Sequence, residues 1–350
     1  MINMDRLSKF YNSIKDDLKK PKSKDDSVLI VDGTNTFKRV FSAVPSINDD
    51  GIHVGGVVGF LKSIGSNIRQ FNATRCIVVF DGRGGSLKRK KIFPDYKSGR
   101  KNKVSLNRFK EFDSYEDEYQ SMKSQFLRII DYLDVLPVEV IAIDNIEADD
   151  TIAYIAKQYY KDKNNNIVIV SSDKDFLQLV SDNISVYRPT VKKLYNKENF
   201  KDEFGVIPEN YLLCRMVSGD TSDNIPGVNG VGVKTLLKHF DLSNPKVTHN
   251  DIINECKNRI EFGVKYKAIK AISQSFDVLD RNYKLMQLHE VDIPTRDKLI
   301  ITDRLNSPIN KLNVLEFRKL YVRDKLYSNI TYVDDWINKT FKRLEVYART

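Results

Sequence analysis

The chain has 350 residues, 30% of them charged and 10% aromatic, enough for a sizeable core in one large or two modest domains. No run of about 18 apolar residues is present and the first residues are charged throughout, so neither a membrane span nor a secretory leader is expected. Three scattered cysteines (Cys76, Cys214, Cys256) and four histidines argue against a disulfide framework or a structural zinc site, and a cytoplasmic location is the expectation.

Residues 1–26 form a charged extension. Within it Leu7, Phe10, Tyr11, Ile14 and Leu18 recur at helical spacing, which predicts a short amphipathic helix broken at Pro21. From residue 27 a repeated pattern begins: a short apolar, β-branched run, then an acid, then helical periodicity. SVLIV (27–31) leads to Asp32, IVVF (77–80) to Asp81, and VEVIAI (138–143) to Asp144 and then Glu147, Asp149 and Asp150. IVIV (167–170) leads to Asp173 and Asp175. Continuous apolar runs of this length suit strands buried on both faces of a parallel sheet. The intervening segments suit crossover helices. One spans 125–133; another, 151–160, is expected to turn Ile152, Ile155 and Tyr159 to one face. The predicted fold class is α/β with a mainly parallel sheet and flanking helices. Residues 184–196 predict a hairpin or edge pair broken at Pro189, and beyond Phe200 the periodicity is helical.

The net charge of +10 is concentrated. Arg83 to Lys110 holds eleven basic residues and one acid, Asp95, a net +10 in that stretch alone. Such a run is either a solvated loop or a phosphate-contacting segment, whose contacts gain by releasing counterions. Phe93, Tyr96 and Phe109 are interleaved, in a pattern suited to stacking on unpaired bases.

Taken singly, each acid has an ordinary reading as a turn residue or helix cap. Together they do not. Ligand sites of open α/β sheets lie beyond the carboxyl ends of the strands, where these acids fall. Carboxylates gathered there repel one another unless a cation sits among them. Oxygen-only ligands suit Mg²⁺ or Mn²⁺, and two groups of them suggest two ions about 4 Å apart, as in phosphoryl-transfer sites. Further on, GDTSDNIPGVNGVGVKTLLKHF (219–240) adds Asp220 and Asp223. It also places Gly230, Gly232, Lys234 and Thr235 before an apolar-periodic helix, where backbone N–H groups can meet a phosphate. The spacing is not that of a nucleotide-binding loop.

Five segments, in order, resemble the 5′-nuclease family of flap endonucleases, phage 5′–3′ exonucleases and the 5′-nuclease domain of bacterial DNA polymerase I. They are VDGTNTFKRVFSAVP, VFDG with RKKIFPDYKSGR, IEADD, SSDKDF and the glycine segment just quoted. The resemblance implies a PIN-like nuclease core over 27–205 that includes a basic helical arch at 83–125. A helix–turn–helix DNA clamp would follow at 206–245, and a helical C-terminal region at 246–350. It assigns Asp32, Asp81, Glu147, Asp149 and Asp173 to a first metal ion. Asp173, Asp175, Asp220 and Asp223 go to a second, with Asp150 close by. Lys97 and Arg100 would contact the scissile phosphate, and Arg39 and Arg89 would lie near the 5′ strand. Gly230, Gly232, Lys234 and Thr235 would grip downstream duplex around a monovalent cation such as K⁺. The implied substrates are DNA and RNA–DNA hybrids with 5′ ends or flaps, including RNA primers of lagging-strand fragments. A stand-alone nuclease of phage type fits the length, and the host cytoplasm would then be its location. Replication-protein partners are not readable, and monomer is the default. Two competing readings are a DNA-structure-binding scaffold without chemistry and a PIN-like ribonuclease acting on single-stranded RNA.

Overall fold

The computed structural model describes residues 27–101, 107–108, 112–161, 165–243 and 247–347, without the side chains of residues 100, 101, 346 and 347. The expected N-terminal helix and part of the basic segment, Phe109 included, lie outside the described residues.

A six-stranded sheet runs in the order β3-β2-β1-β4-β5-β6. Its strands are β1 (Ser27–Asp32), β2 (Arg75–Asp81), β3 (Glu139–Ile143), β4 (Asn166–Val170), β5 (Ile184–Arg188) and β6 (Lys193–Tyr195). The first five pair in parallel; β6 closes the edge antiparallel to β5, through the turn that contains Pro189. The apolar runs are continuous because both sheet faces are covered. Val28 and Ile30 point into one core with Ile77, Val79, Ile167 and Ile169, while Leu29 and Val31 point into the other with Val78 and Phe80. Val28, Leu29, Ile30 and Val31 are all fully buried, as period-two alternation between two filled faces requires.

One face is covered by α1 (Gly33–Ala43), α2 (Gly55–Gln70) and α4 (Tyr115–Asp134). The short α3 (Leu87–Ile92) opens the basic segment. The other face takes α5 (Ala148–Tyr154), α6 (Lys197–Phe204), α7 (Tyr211–Ser218), α8 (Val233–His239), α9 (His249–Glu261), α10 (Lys267–Ser273), α11 (Phe276–Met286) and α12 (Thr295–Asn306). The chain then crosses back. Phe317 and Tyr321 of α13 (Val314–Arg323) and Ile337 and Phe341 of α14 (Val333–Phe341) pack on the α1–α2–α4 side.

The helix after Glu147 departs from the expected face. Its last turn, Ile155–Tyr159, is a π-turn in which the Tyr160 N–H donates to the Ile155 carbonyl at 3.2 Å. The extra residue per turn rotates the register. Ile152 and Ile155 are fully buried as expected, but Tyr160, not Tyr159, completes the buried set.

Candidate metal centre

The parallel arrangement brings the ends of β1, β2, β3 and β4 to one edge, and each end delivers acids there. Asp32 ends β1 and caps α1: its Oδ1 accepts from Asn35 N at 3.0 Å and its Oδ2 from Ser171 Oγ at 2.8 Å. Asp81 ends β2, and its Oδ1 accepts from Ala148 N at 2.9 Å, joining it to the first turn of α5. Gly82 follows because nothing larger passes: a Cβ there would stand 1.7 Å from the Ile143 carbonyl oxygen at the end of β3. Beyond β4, Ser171 Oγ accepts from Asp173 N at 3.1 Å, and Asp173 Oδ1 accepts from Asp175 N at 2.8 Å.

Asp220 and Asp223 come from outside the main sheet. A two-residue antiparallel pair, β7 (Gly219–Asp220) with β8 (Ile225–Pro226), makes a tight hairpin after α7. Gly219 sits at φ +69°, and a Cβ there would lie 2.4 Å from both Gly227 N and the Ile225 carbonyl oxygen. Only glycine fits, so the hairpin that carries the two acids is held close. Beside it lies an open cleft of about 470 Å³ lined by Asn35, Asp173, Arg188, Arg215, Asp220 and Ser222.

The electrostatics divide the acids into two kinds. Asp32 and Asp175 are pushed up to about 7, by burial first and then by neighbouring carboxylates: Asp81 and Asp173 for Asp32, Asp173 for Asp175. Burial, followed by the charges of Asp173 and Asp32, drives Asp149 well above the usual carboxylate range, and Asp173 is raised by burial as well. These four are crowded anions without enough compensation. Glu147 is the opposite case. Burial works against its charge, but Arg89 and Lys97 outweigh it and hold the carboxyl below its ordinary value.

Three cations supply that compensation. Lys97 Nζ bonds Glu147 Oε1 at 2.7 Å and stands 4.0 Å from Asp223 Oδ2. Arg89 bonds Glu147 Oε2 at 2.6 Å and both oxygens of Asp150 at 2.8 and 2.9 Å, and donates to the Leu285 carbonyl. Tyr96 OH adds a bond to Glu147 Oε2 at 3.1 Å. Arg215, from the otherwise apolar α7, bonds Asp175 Oδ1 at 2.7 Å and also Asp220 Oδ2.

Asp32, Asp81, Asp149 and Asp173 are thus brought into mutual electrostatic reach, and Asp175, Asp220 and Asp223 meet around Arg215 and Lys97. One expected role is corrected. Arg89, expected beside a 5′ strand, is 8% exposed, because Glu147, Asp150 and the Leu285 carbonyl surround its guanidinium. Asp150, expected near the second ion, has both oxygens engaged by Arg89. Arg39 is half-buried in α1, where its Nη2 donates to Ser63 Oγ of α2 at 3.3 Å. The Arg100 side chain lies outside the described residues. Gly230, Gly232 and Lys234 are exposed and Thr235 is half-buried in the loop and first turn of α8. Open space surrounds both glycines, and Gly230 is at φ +72°.

The donor set fits a divalent cation in chemistry: oxygen ligands only, four of them with raised affinity for a proton through burial and, for Asp32, Asp149, Asp173 and Asp175 alike, the charges of neighbouring carboxylates. Among the described residues, however, no three His, Cys, Asp or Glu side chains already enclose an ion. Arg215, Arg89 and Lys97 occupy carboxylate oxygens that would have to be shared. The sequence reading missed Arg215 and Ser171, and Tyr96, expected to stack on unpaired bases, is instead buried with its OH on Glu147. A lone arginine in the apolar run YLLCRMVS was the one signal available for Arg215.

Residues 27–205 match the family model described as the 5′-3′ exonuclease N-terminal resolvase-like domain. A 5′-3′ exonuclease of Aquifex aeolicus is 29% identical over 306 residues, 86% of this chain and 96% of that protein. DNA polymerase I of Bacillus subtilis is 32% identical over 222 residues, which are 61% of this chain and 23% of that protein. The bacteriophage T5 flap endonuclease, solved with DNA and metal ions, has the same fold with a TM-score of 0.57. It is 21% identical, and the match covers 85% of this chain and 97% of that one.

Proposed function

As a member of the 5′-3′ exonuclease family this chain is a 5′ nuclease that hydrolyses phosphodiester bonds, and we propose that the carboxylate edge does so with divalent cations on 5′ ends and flaps of DNA. The observation that carries the reading is the convergence of acids from four strand ends and one hairpin on a single edge, with Lys97 among them. A scaffold needs no crowd of uncompensated carboxylates at its binding face, and crowding of this kind destabilises the fold.

Asp32, Asp81, Asp149 and Asp173 would hold a first Mg²⁺ or Mn²⁺, with Glu147 beside it. Asp173, as a bridging ligand, with Asp175, Asp220 and Asp223 would hold a second. When bound, such ions supply a hydroxide-like nucleophile and stabilise charge on the scissile phosphate and leaving oxygen. The chain's own cations do the rest. Lys97, at the edge of the acid cluster, meets the scissile phosphate as a mobile point charge, exchanging Glu147 for a phosphate oxygen. The exposed Gly230–Thr235 turn receives the backbone of the duplex, with K⁺ as a candidate bridging ion. RNA primers on lagging strands are proposed substrates too, as the family resemblance of the sequence implies.

The test uses 5′-labelled flap, nicked-duplex and RNA-primed substrates with Mg²⁺, Mn²⁺ or EDTA. Metal-dependent cleavage at the flap junction or primer end is expected. Tight flap binding with no cleavage under any divalent ion would overturn the metal assignment.

A further inference from the structure

The base of the basic segment is tied to the acid-bearing hairpin by one residue. Asn224 Nδ2 donates to the Asp95 carbonyl at 3.0 Å and to Ser98 Oγ at 2.9 Å. Between those two partners lies Lys97, whose own N–H donates to the Asp223 carbonyl at 2.8 Å. Lys97 and Asn224 both adopt left-handed backbone conformations, each at φ +57°. Asparagine tolerates that region; lysine enters it less readily and keeps it only where its surroundings impose it. Here the surroundings are the Asn224 amide on both flanks and the Asp223 carbonyl at the centre. The strained turn aims the Lys97 ammonium at Glu147, 2.7 Å away, with Asp223 at 4.0 Å. Tyr96, next to it, is buried and bonded to the same Glu147, so the turn is fixed from below as well.

We propose that Asn224 is a positioning residue for cleavage: its amide latches the 95–98 turn to the hairpin and so holds Lys97 where it meets the scissile phosphate. Asn224 touches no reacting atom and acts through Lys97 alone. The latch also joins the two segments that must act on one phosphate, the hairpin bearing Asp220 and Asp223 and the foot of the basic segment, which are some 126 residues apart in the chain. The proposal rests on the phosphate role given to Lys97 above.

Three substitutions separate the latch from a general structural effect. Asn224→Gly keeps the left-handed backbone but removes the amide; Asn224→Ala removes both; Ser98→Ala removes one acceptor and leaves the hairpin untouched. Single-turnover cleavage of a 5′-flap DNA in Mg²⁺ and flap affinity by anisotropy in EDTA are measured for each, alone and with Lys97→Ala. Asn224→Gly is expected to slow cleavage about tenfold with affinity within twofold, and Ser98→Ala about threefold. In the Lys97→Ala background both are expected to change the rate by less than twofold, since the group they position is gone. A wild-type rate for Asn224→Gly, an equal loss with and without Lys97, or a loss in affinity instead of rate would each overturn the latch. If Asn224→Gly and Asn224→Ala do not fold, Ser98→Ala decides by the same pattern. A Lys97→Ala protein as fast as wild type would remove the phosphate role of Lys97 and the latch with it. A slow Lys97→Ala protein in which Asn224→Gly slows cleavage further would remove the latch alone.

Discussion

Replacing Arg215 with methionine should expose what holds the second acid group together. The guanidinium bridges Asp175 and Asp220, and the three side chains are 11%, 19% and 15% exposed. Removing one partner from a buried ion pair costs about 3–5 kcal/mol, and the partial exposure here favours the lower end, about 3 kcal/mol at pH 8. The loss should depend on pH, with a definite sign. In the wild type Asp175 is pushed up to about 7 by burial and by Asp173, with Arg215 opposing, while Asp220 is held below its ordinary value despite burial by Ser222 and Arg215. Without Arg215 both folded-state values rise, and the unfolded values stay near 4. A carboxyl raised in the folded state binds more protons folded than unfolded, so the variant regains stability as pH falls toward 4. The deficit should therefore shrink to about 1 kcal/mol at pH 5.5. Urea denaturation of both proteins in EDTA at pH 8 and pH 5.5 measures this directly. A deficit under about 1 kcal/mol at pH 8, or one equal at the two pH values, would refute the argument. Repeating the pH 8 series with Mg²⁺ should stabilise the variant more than the wild type, because the vacated oxygens become available to the ion.

Other perturbations address separate parts of the molecule. Asp173→Asn, at the carboxylate shared by both acid groups, should abolish Mg²⁺-dependent cleavage while flap affinity in EDTA stays within about threefold; retained cutting by a contamination-free preparation would remove its bridging role. Gly219→Ala should displace the hairpin, since the new methyl would lie 2.4 Å from two backbone atoms at a φ of +69°. Cleavage should fall at least tenfold while the urea midpoint of the main transition moves less than for a core substitution. Phe317→Ala, which empties a fully buried site 5.0 Å from the Tyr132 ring, should cost about 3–5 kcal/mol in urea denaturation. A loss below 1 kcal/mol would mean that α13 contributes little to that core.

Strand-end acids could be read from the sequence because two local signals coincide there: a β-branched apolar run and an acid directly after it. Parallel pairing then does the gathering, and Asp32, Asp81 and Asp173 needed no further information. Asp220 and Asp223 required the quoted family pattern, since nothing in a polar loop says which edge it approaches. The missing residues share a physical reason. Arg215, Ser171 and Asn224 each have a partner 40, 139 and 126 positions away in the chain, respectively, and no periodicity encodes such a pairing. Arg89 was misread for the same reason. In sequence it is one base among eleven, and only the packing of α3 against α11 and α5 shows that it faces inward. The π-turn that substitutes Tyr160 for Tyr159 is likewise invisible to a 3.6-residue period.

The return of α13 and α14 to the first face of the sheet has a consequence for synthesis. That face is walled by Leu29, Val31, Phe41, Phe60 and Tyr132 on one part of the chain and by Phe317, Ile337, Phe341 and Leu344 on another, across nearly two hundred intervening positions. Contacts of such separation carry a large closure entropy and form late. During translation, residues 29–133 therefore leave the ribosome with part of their shared core still open, because the side chains that complete it lie between residues 317 and 344. A product that stops before Phe317 would keep the helices that cover this sheet face but leave exposed the part of their apolar surface that Phe317, Ile337, Phe341 and Leu344 bury.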